Sequence, residues 1–412
     1  MRDPAIRRRR TALFLFFLIP GLSLSSWVTR TPDIRDQLDA STAQMGLVLF
    51  GLSVGSMLGV LASGALVARH GTRPVIAAGT SLVGLSLLVV GAGALLASAP
   101  TVTAGLLLFG AGMGGGEVAV NIDGAEVERL TGRTVLPTLH GFFSLGTVAG
   151  ALLGILCTAV DFPVAAHLGA LAAAVAALFA YALRAIPAGV GRTRGGTGRN
   201  EPPAPTAGPL HKDRRLLMIG GIVLTMALAE GAANDWLPLL MVDGHDMDPA
   251  LGSAVYAGFA ATMALGRFSG AFLIDRLGRV TVVRASALSA TLGLAVVIFA
   301  DTAALAGAAV LLWGLGASLG FPLALSAAGD SGPDSAARVS LVAMIGYLAF
   351  LVGPPGLGFL GDHHGLRAAM TVVLAAVATA IFLAPAVNTR RSTPTPSGDP
   401  GPAPADRPDT PS

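Results

Sequence analysis

Apolar stretches of roughly 20 residues follow one another along this chain, each closed by a charge or by a Pro/Gly cluster. They begin near Thr11, Gln44, Pro74, Thr101, Val135, Val164, Arg215, Ala250, Val280, Thr302, Ala336 and Leu366. Hydrocarbon offers no water to backbone groups, so segments of this length and character can only be helices that satisfy their own N–H and C=O groups. The pattern predicts an all-α membrane protein with twelve transmembrane helices. Composition agrees: of 412 residues 53% are hydrophobic and 12% charged, against about 25% charged in soluble domains. A water-soluble globule is excluded. The 54 glycines show no Gly-X-Y period and suit helices whose backbones approach closely in lipid. The single Cys157 lies in an apolar run and reads as packing, with no disulfide framework or CxxC metal site.

Residues 186–213 are rich in Gly, Pro and Arg and carry no helical period, which predicts a flexible cytoplasmic linker between a six-helix bundle at 1–185 and another at 214–387. The tail at 388–412 alternates Pro with Ser, Thr and Asp and is expected to be disordered. Arg7 to Arg10 followed by Leu13 to Ile19 imitates a signal peptide, but no small-x-small cleavage site follows, so this is read as the first span. With the N-terminus cytoplasmic, all but four of the 27 Lys and Arg residues face inside, the exceptions being Arg30, Arg35 and Arg367 in outer loops and Arg267 within a span. The positive-inside rule then places both termini in the cytoplasm of an inner-membrane protein. Basic clusters set topology here, and nucleic acid is not an expected partner.

The halves repeat. Gly64-Ala-Leu66-Val-Ala68-Arg69-His-Gly71-Thr-Arg73 follows the second span, and Ala271-Phe-Leu273-Ile-Asp275-Arg276-Leu-Gly278-Arg279 follows the eighth, 207 residues later. Phe109-Gly110-Ala-Gly112 is echoed by Trp313-Gly314-Leu-Gly316 at a spacing of 204. Two parallel repeats around a central site are a transporter plan.

At these residues the chain resembles the major facilitator superfamily over nearly its whole length. The superfamily loop pattern G-x-L-x-D-R-x-G-R-R is matched by Asp275, Arg276, Gly278 and Arg279, while Ala68 replaces the acid in the first copy. The resemblance implies that Gly64, Arg69, Gly71 and Arg73, with the second copy, work in gating, and that the charge lock rests mainly on the second copy. Gly112-Met-Gly-Gly-Gly-Glu117-Val-Ala-Val-Asn121 and Leu139-His140-Gly-Phe-Phe143-Ser144-Leu-Gly146 look like the fucose-permease-like branch. Trp27-Val-Thr-Arg30-Thr-Pro32 and Asn234-Asp235-Trp236-Leu-Pro238 look like its MosC-like members. Leu106 stands where the superfamily's fourth-span motif has an arginine, and the fifth span lacks the Gly-Pro signature of drug/proton antiporters. The branch's proton symporter has a first-span aspartate, and Ser25, Ser26, Trp27 and Val28 occupy that stretch here.

Polar residues inside the spans carry the functional expectations. A charged, unanswered carboxylate such as Glu117 costs about 2.5 to 3.5 kcal/mol at mid-helix on insertion scales, so its protonation is sensitive to hydration and neighbours. Asn121 lies one turn on, on the same face. Phe321 holds the equivalent place in the tenth span, so the acid belongs to one half alone and reads as proton coupling, or else as a buried interhelical hydrogen bond. His140 and Ser144 form another one-turn pair; His140 either relays a proton or makes a structural bond near the helix start. Glu230, Asn234, Asp235 and Trp236 in the seventh span face Trp27 across the expected cavity, where amides, carboxylates and an aromatic face suit a polyol; Asn234 to Trp236 also fit a helix end at the membrane interface. Arg30 with Asp33, and with Asp235 across the halves, would make an outer gate, or Arg30 snorkels. Arg267 needs a partner that the sequence does not identify. Asp362-His363-His364 lacks metal-ligand spacing, and with Lys212 the sole lysine there is no P-loop.

The expectation is a secondary transporter with no cofactor, metal or enzymatic role: a monomer in the lipid bilayer moving a small polar solute of sugar or polyol type with protons. Efflux of metabolites or drugs, and a non-transporting sensor, are the alternatives.

Overall fold

The computed structural model describes residues 4–132, 135–192, 210–332 and 334–388. Among them are thirteen α-helices: α1 (Pro4–Val28), α2 (Thr31–Leu38), α3 (Thr42–His70), α4 (Thr72–Leu95), α5 (Ala99–Thr131), α6 (Leu136–Ala159), α7 (Val164–Leu183), α8 (Arg214–His245), α9 (Pro249–Leu277), α10 (Arg279–Phe299), α11 (Ala303–Gly329), α12 (Ser335–His364) and α13 (Leu366–Leu383). Twelve are long and apolar enough to cross a bilayer, so the chain is a multi-pass membrane protein. The exception is α2, an eight-residue helix on the loop after α1 that hydropathy does not register.

Helix starts fall within a few residues of those read from hydropathy, except in α1, which begins at Pro4 rather than near Thr11. The arginine run does not stop this helix because Arg9 has a partner. Its Nε lies 2.7 Å from Asp123 Oδ1 on α5, and Thr72 Oγ1 donates to the other carboxylate oxygen at 2.7 Å. Asp123 is fully buried, and a buried charge persists where it is paired and hydrogen-bonded.

The two halves pack alike. In the first, α5 packs against α3 and α4, α1 against α6 and α7, and α4 against α7. In the second, α11 packs against α9 and α10, α8 against α12 and α13, and α10 against α13. Exchanging α1, α3, α4, α5, α6 and α7 for α8, α9, α10, α11, α12 and α13 reproduces each of these pairings, and the bundles meet through α3 with α12 and α6 with α9, which the same exchange interconverts. This is the pseudo-symmetric pair of six-helix bundles that the repeat predicts. Small residues make it possible: a Cβ on Gly79 of α4 would sit 2.7 Å from the Gly112 carbonyl oxygen of α5, and one on Gly46 of α3 would sit 2.7 Å from Pro354 O of α12.

The repeated loops also match in backbone. Gly71 and Gly278 adopt φ +86° and +77°, a region open to glycine at little cost. The loop positions beside them make equivalent contacts: Thr72 bonds Asp123 at 2.7 Å, and Arg279 Nη1 bonds Asp330 at 2.9 Å, both partners again 207 residues apart. The start of the expected linker is anchored, since Ile186 is buried and Val190 O accepts the Thr72 N–H at 2.8 Å. The expectations of flexibility and disorder otherwise fall on 193–209 and 389–412, outside the described residues.

Asp213 caps α8, accepting the N–H groups of Arg215 and Leu216 at 3.1 Å, and receives a bond of 2.9 Å from the buried Arg338 of α12. Burial by itself would raise its carboxyl; the Leu216 N–H and the Arg338 guanidinium outweigh that and hold it below the ordinary aspartate value. A depressed carboxyl stabilises the fold fully above its unfolded value, and that contribution is lost as pH falls through the folded one. Asp213→Ala should therefore lower thermal stability in detergent at pH 7 by about 1 kcal/mol or more, and the gap to wild type should narrow below about pH 4.

Candidate functional site

Two faces need names. The linker side carries the start of α1, the segment between the bundles and the end of the described chain; the far side is opposite. Among the described residues four hydrogen bonds and ion pairs cross between bundles, and all lie on the far side of the membrane midplane. Arg35 of α2 pairs with Asp243 near the end of α8. Ser253 Oγ of α9 donates to Thr29 O at 2.9 Å. Ser25 Oγ lies 3.5 Å from Tyr256 Oη, and the Ala43 N–H reaches Asp362 Oδ1 at 3.4 Å. The far side is thus closed by a polar seam laid over the glycine contact of α3 with α12.

Below the seam, charged side chains from both bundles converge. Glu117 of α5 is exposed and lies within electrostatic reach of Arg267 on α9 and Glu230 on α8. Arg267 Nη2 donates to Glu230 Oε1 at 2.9 Å, and both side chains are partly exposed. Tyr347 of α12, half-buried, is within electrostatic reach of Glu117. His140 of α6 is exposed, interacts with Arg267 and sets its ring 4.9 Å from that of Phe17. Two carboxylates, one guanidinium, an imidazole and a phenol therefore share a vestibule between the bundles, with α5 and α6 on one side and α8, α9 and α12 on the other. Such a set can bind hydroxyls and amines and can hold a proton. The partner that Arg267 lacks in the sequence is Glu230; their spacing of 37 residues across two helices leaves no local signal. Tyr347 and Tyr256 have none either.

Other expected site residues lie elsewhere. Asn121 is half-buried one turn below Glu117. Ser144 is buried and donates to His140 O at 3.3 Å, beside a cleft between α6 and α9. Asn234 Oδ1 accepts Tyr256 Oη at 3.2 Å, which ties it to the far-side seam, and the buried Asp235 lies within reach of the same phenol. Trp27 and Trp236 are almost wholly buried. The first packs edge-on against Phe109 at 6.2 Å and the second against Gly358, so neither indole offers a face to the vestibule. Large apolar rings are enclosed because only core packing pairs their full area.

The residues expected to work in gating also redistribute. Arg30 does not cross to Asp235: it pairs with Asp33 at 2.7 Å and donates to Phe162 O at 2.7 Å, all within the first bundle. Arg35, closer to the second bundle, makes the crossing instead. Gly64 faces open space, and Arg69 and Arg73 form no ion pair among the described residues. Asp275 is exposed without a described partner, Arg276 lies over the Phe272 ring at 4.5 Å, and Arg279 holds Asp330 across the Gly278 turn. The second copy's contact thus runs through Arg279 rather than Asp275.

The profile of the Major Facilitator Superfamily matches residues 12–340. An uncharacterized MFS-type transporter of Yersinia pestis is 31% identical over 390 residues, covering 93% of this chain and 97% of the relative. The membrane protein MosC of Rhizobium meliloti is 28% identical over 382 residues, covering 90% and 88%. Among solved structures, a variant of the nucleoside transporter NupG superposes with a TM-score of 0.74 at 14% identity, covering 92% of this chain and all of that one.

If the Arg35–Asp243 pair holds the seam, Arg35→Ala should speed far-side labelling of Ser25→Cys by a membrane-impermeant maleimide in a Cys157→Ser background. An exposed pair of this kind is worth up to about 1 kcal/mol, roughly fivefold in rate. Exchanging the charges, Arg35→Asp with Asp243→Arg, should restore slow labelling. Equal rates in all three proteins would show that closure does not depend on the pair.

Proposed function

This chain belongs to the Major Facilitator Superfamily and is a membrane transporter, and from that premise we propose that it moves a small, hydroxyl-rich polar solute of sugar or polyol type together with protons. The observation that carries the reading is the vestibule itself: Glu117 on one bundle faces the Glu230–Arg267 pair on the other. Hydroxyls are well matched to this set, because carboxylates accept from them and a guanidinium and a phenol donate to them. The nearby NupG is a nucleoside transporter, and a nucleoside also presents vicinal hydroxyls.

Coupling follows from charge arithmetic. When Glu117 is ionised, two carboxylates compete for Arg267, and the attraction across the vestibule draws the bundles together on the linker side. When Glu117 carries a proton, Arg267 belongs to Glu230 alone and the linker side is free to part. A proton and a solute that both favour one arrangement strengthen each other's binding by the same factor. Phe321 cannot do this from the equivalent place on α11, which supports giving the titrating role to the first bundle. His140, exposed beside Arg267, passes the proton between Glu117 and the linker side. The basic loops support a reading in which that side faces the cytoplasm of an inner-membrane protein, with the whole pathway inside one chain.

In proteoliposomes with an imposed pH gradient, Glu117→Gln should abolish uphill accumulation while solute counterflow survives; accumulation at the wild-type level would remove Glu117 as the coupling group. His140→Gln should shift the pH profile of transport, and an unchanged profile would assign the imidazole to packing against Phe17. In a thermal-shift screen a saturating solute raises apparent stability by about 2.7 kcal/mol at a hundred times its Kd. The stabilising compounds should be sugars, polyols or nucleosides, with the shift lost in Glu230→Gln. Stabilisation confined to lipophilic drugs would overturn the solute class.

A further inference from the structure

The first bundle carries a second feature on the face turned away from the vestibule. Between α3 and α4 runs an apolar groove of about 390 Å³, floored by Ala111 and Gly115 of α5 and walled by Ala62 and Leu66 on one side and Pro74 and Ala78 on the other. At about 100° per residue, Gly115 lies roughly 160° around α5 from Glu117, so the floor looks outward. The exposure of Leu58 and Leu66 along the wall fits a surface facing lipid.

Length and charge specify what the groove can hold. From Leu58 to His70 the wall rises about 18 Å, close to one leaflet of a hydrocarbon core about 30 Å thick. It ends at the linker side beside Arg69, His70 and Arg73. The acids nearest in sequence on α5 are engaged: Asp123 by Arg9 and Thr72, Glu126 by Arg129. Arg69 and Arg73 have no such partner among the described residues.

The second bundle does not repeat it. In the register that aligns Gly110 with Gly314, Ala111 and Gly115 become Leu315 and Leu319. These leucines fill the corresponding space: a Cβ on Gly266 would sit 3.4 Å from Leu315 Cδ1, and one on Gly270 would sit 2.7 Å from Leu319 Cδ2. There Arg276 lies over Phe272 and Val280 replaces Arg73. Among the described residues the groove occurs together with Arg69 and Arg73 in the first half; the second half keeps an exposed Arg284 on α10 but has leucines in place of the groove floor.

We propose that this groove is a binding site for an anionic phospholipid, with one acyl chain lying between α3 and α4 on the Ala111–Gly115 floor and the phosphate of the headgroup held by Arg69 and Arg73. The site pins a lipid to the Gly71 turn, so the linker-side end of the first bundle is bound to its leaflet where the second is not.

The test is native mass spectrometry of the full chain, delipidated in detergent and titrated with phosphatidylglycerol or with phosphatidylcholine of the same acyl chains. Wild type should bind phosphatidylglycerol more tightly. Ala78→Phe, which fills the groove, should weaken both lipids. The double variant Arg69→Gln, Arg73→Gln should bring phosphatidylglycerol down to the phosphatidylcholine level, a loss of roughly tenfold to thirtyfold for two basic residues. Inorganic phosphate should not compete. Ala62→Phe fills the groove from the other wall and replaces Ala78→Phe should that variant melt early. Equal binding of the two lipids by wild type, or phosphatidylglycerol binding untouched by the groove-filling or the double variant, would overturn the proposal. Competition by inorganic phosphate would reduce the site to the arginines alone and overturn the acyl-chain assignment.

Discussion

A charge inside hydrocarbon is costly unless another group answers it, and this cost decides where the ionisable residues of the chain sit. Arg9 is answered by Asp123 and Arg30 by Asp33 and Phe162 O; Arg367 donates to Ile298 O and Ala300 O, and Arg338 to Asp213. These contacts lie toward the membrane faces and bind helices within one bundle. The same demand on backbone groups leaves helix as the only spanning form, and glycine lets those helices come close enough to bury one another's polar edges.

Against that background the vestibule set differs in kind. Glu230 and Arg267 satisfy each other, but among the described residues Glu117 has no partner within its own bundle and sees its counter-charge across the gap. An interaction whose strength depends on the separation of two rigid bodies links their arrangement to whatever changes the charge. The structural pairs, short and internal to a bundle, carry no such link. Geometry therefore separates two groups of ions that composition counts alike.

The repeat sharpens the distinction. Where the halves agree, as in the glycine turns and in Thr72–Asp123 against Arg279–Asp330, the shared feature holds the bundle together. Where they differ, as in Glu117 against Phe321 and in Gly115 against Leu319, one half carries a property that the fold itself does not need. Both departures lie on α5 and face opposite ways, one toward the vestibule and the other toward lipid.

Hydropathy alone determined the twelve spans, because crossing the bilayer demands an apolar run of set length, and the spacing of Gly71 and Gly278 determined the two-bundle plan. It also marked Glu117, because an intramembrane acid in one half stands out against its repeat. What only the tertiary structure decided is which groups meet. Glu230 joins Arg267, Arg35 rather than Arg30 reaches the second bundle, Asp123 draws Arg9 into α1, and Trp27 and Trp236 turn into the core. Each of these depends on helix rotation and on contacts between segments far apart in sequence. Periodicity records which residues are apolar, but the direction a side chain faces within a crowded bundle is set by the neighbours that pack around it.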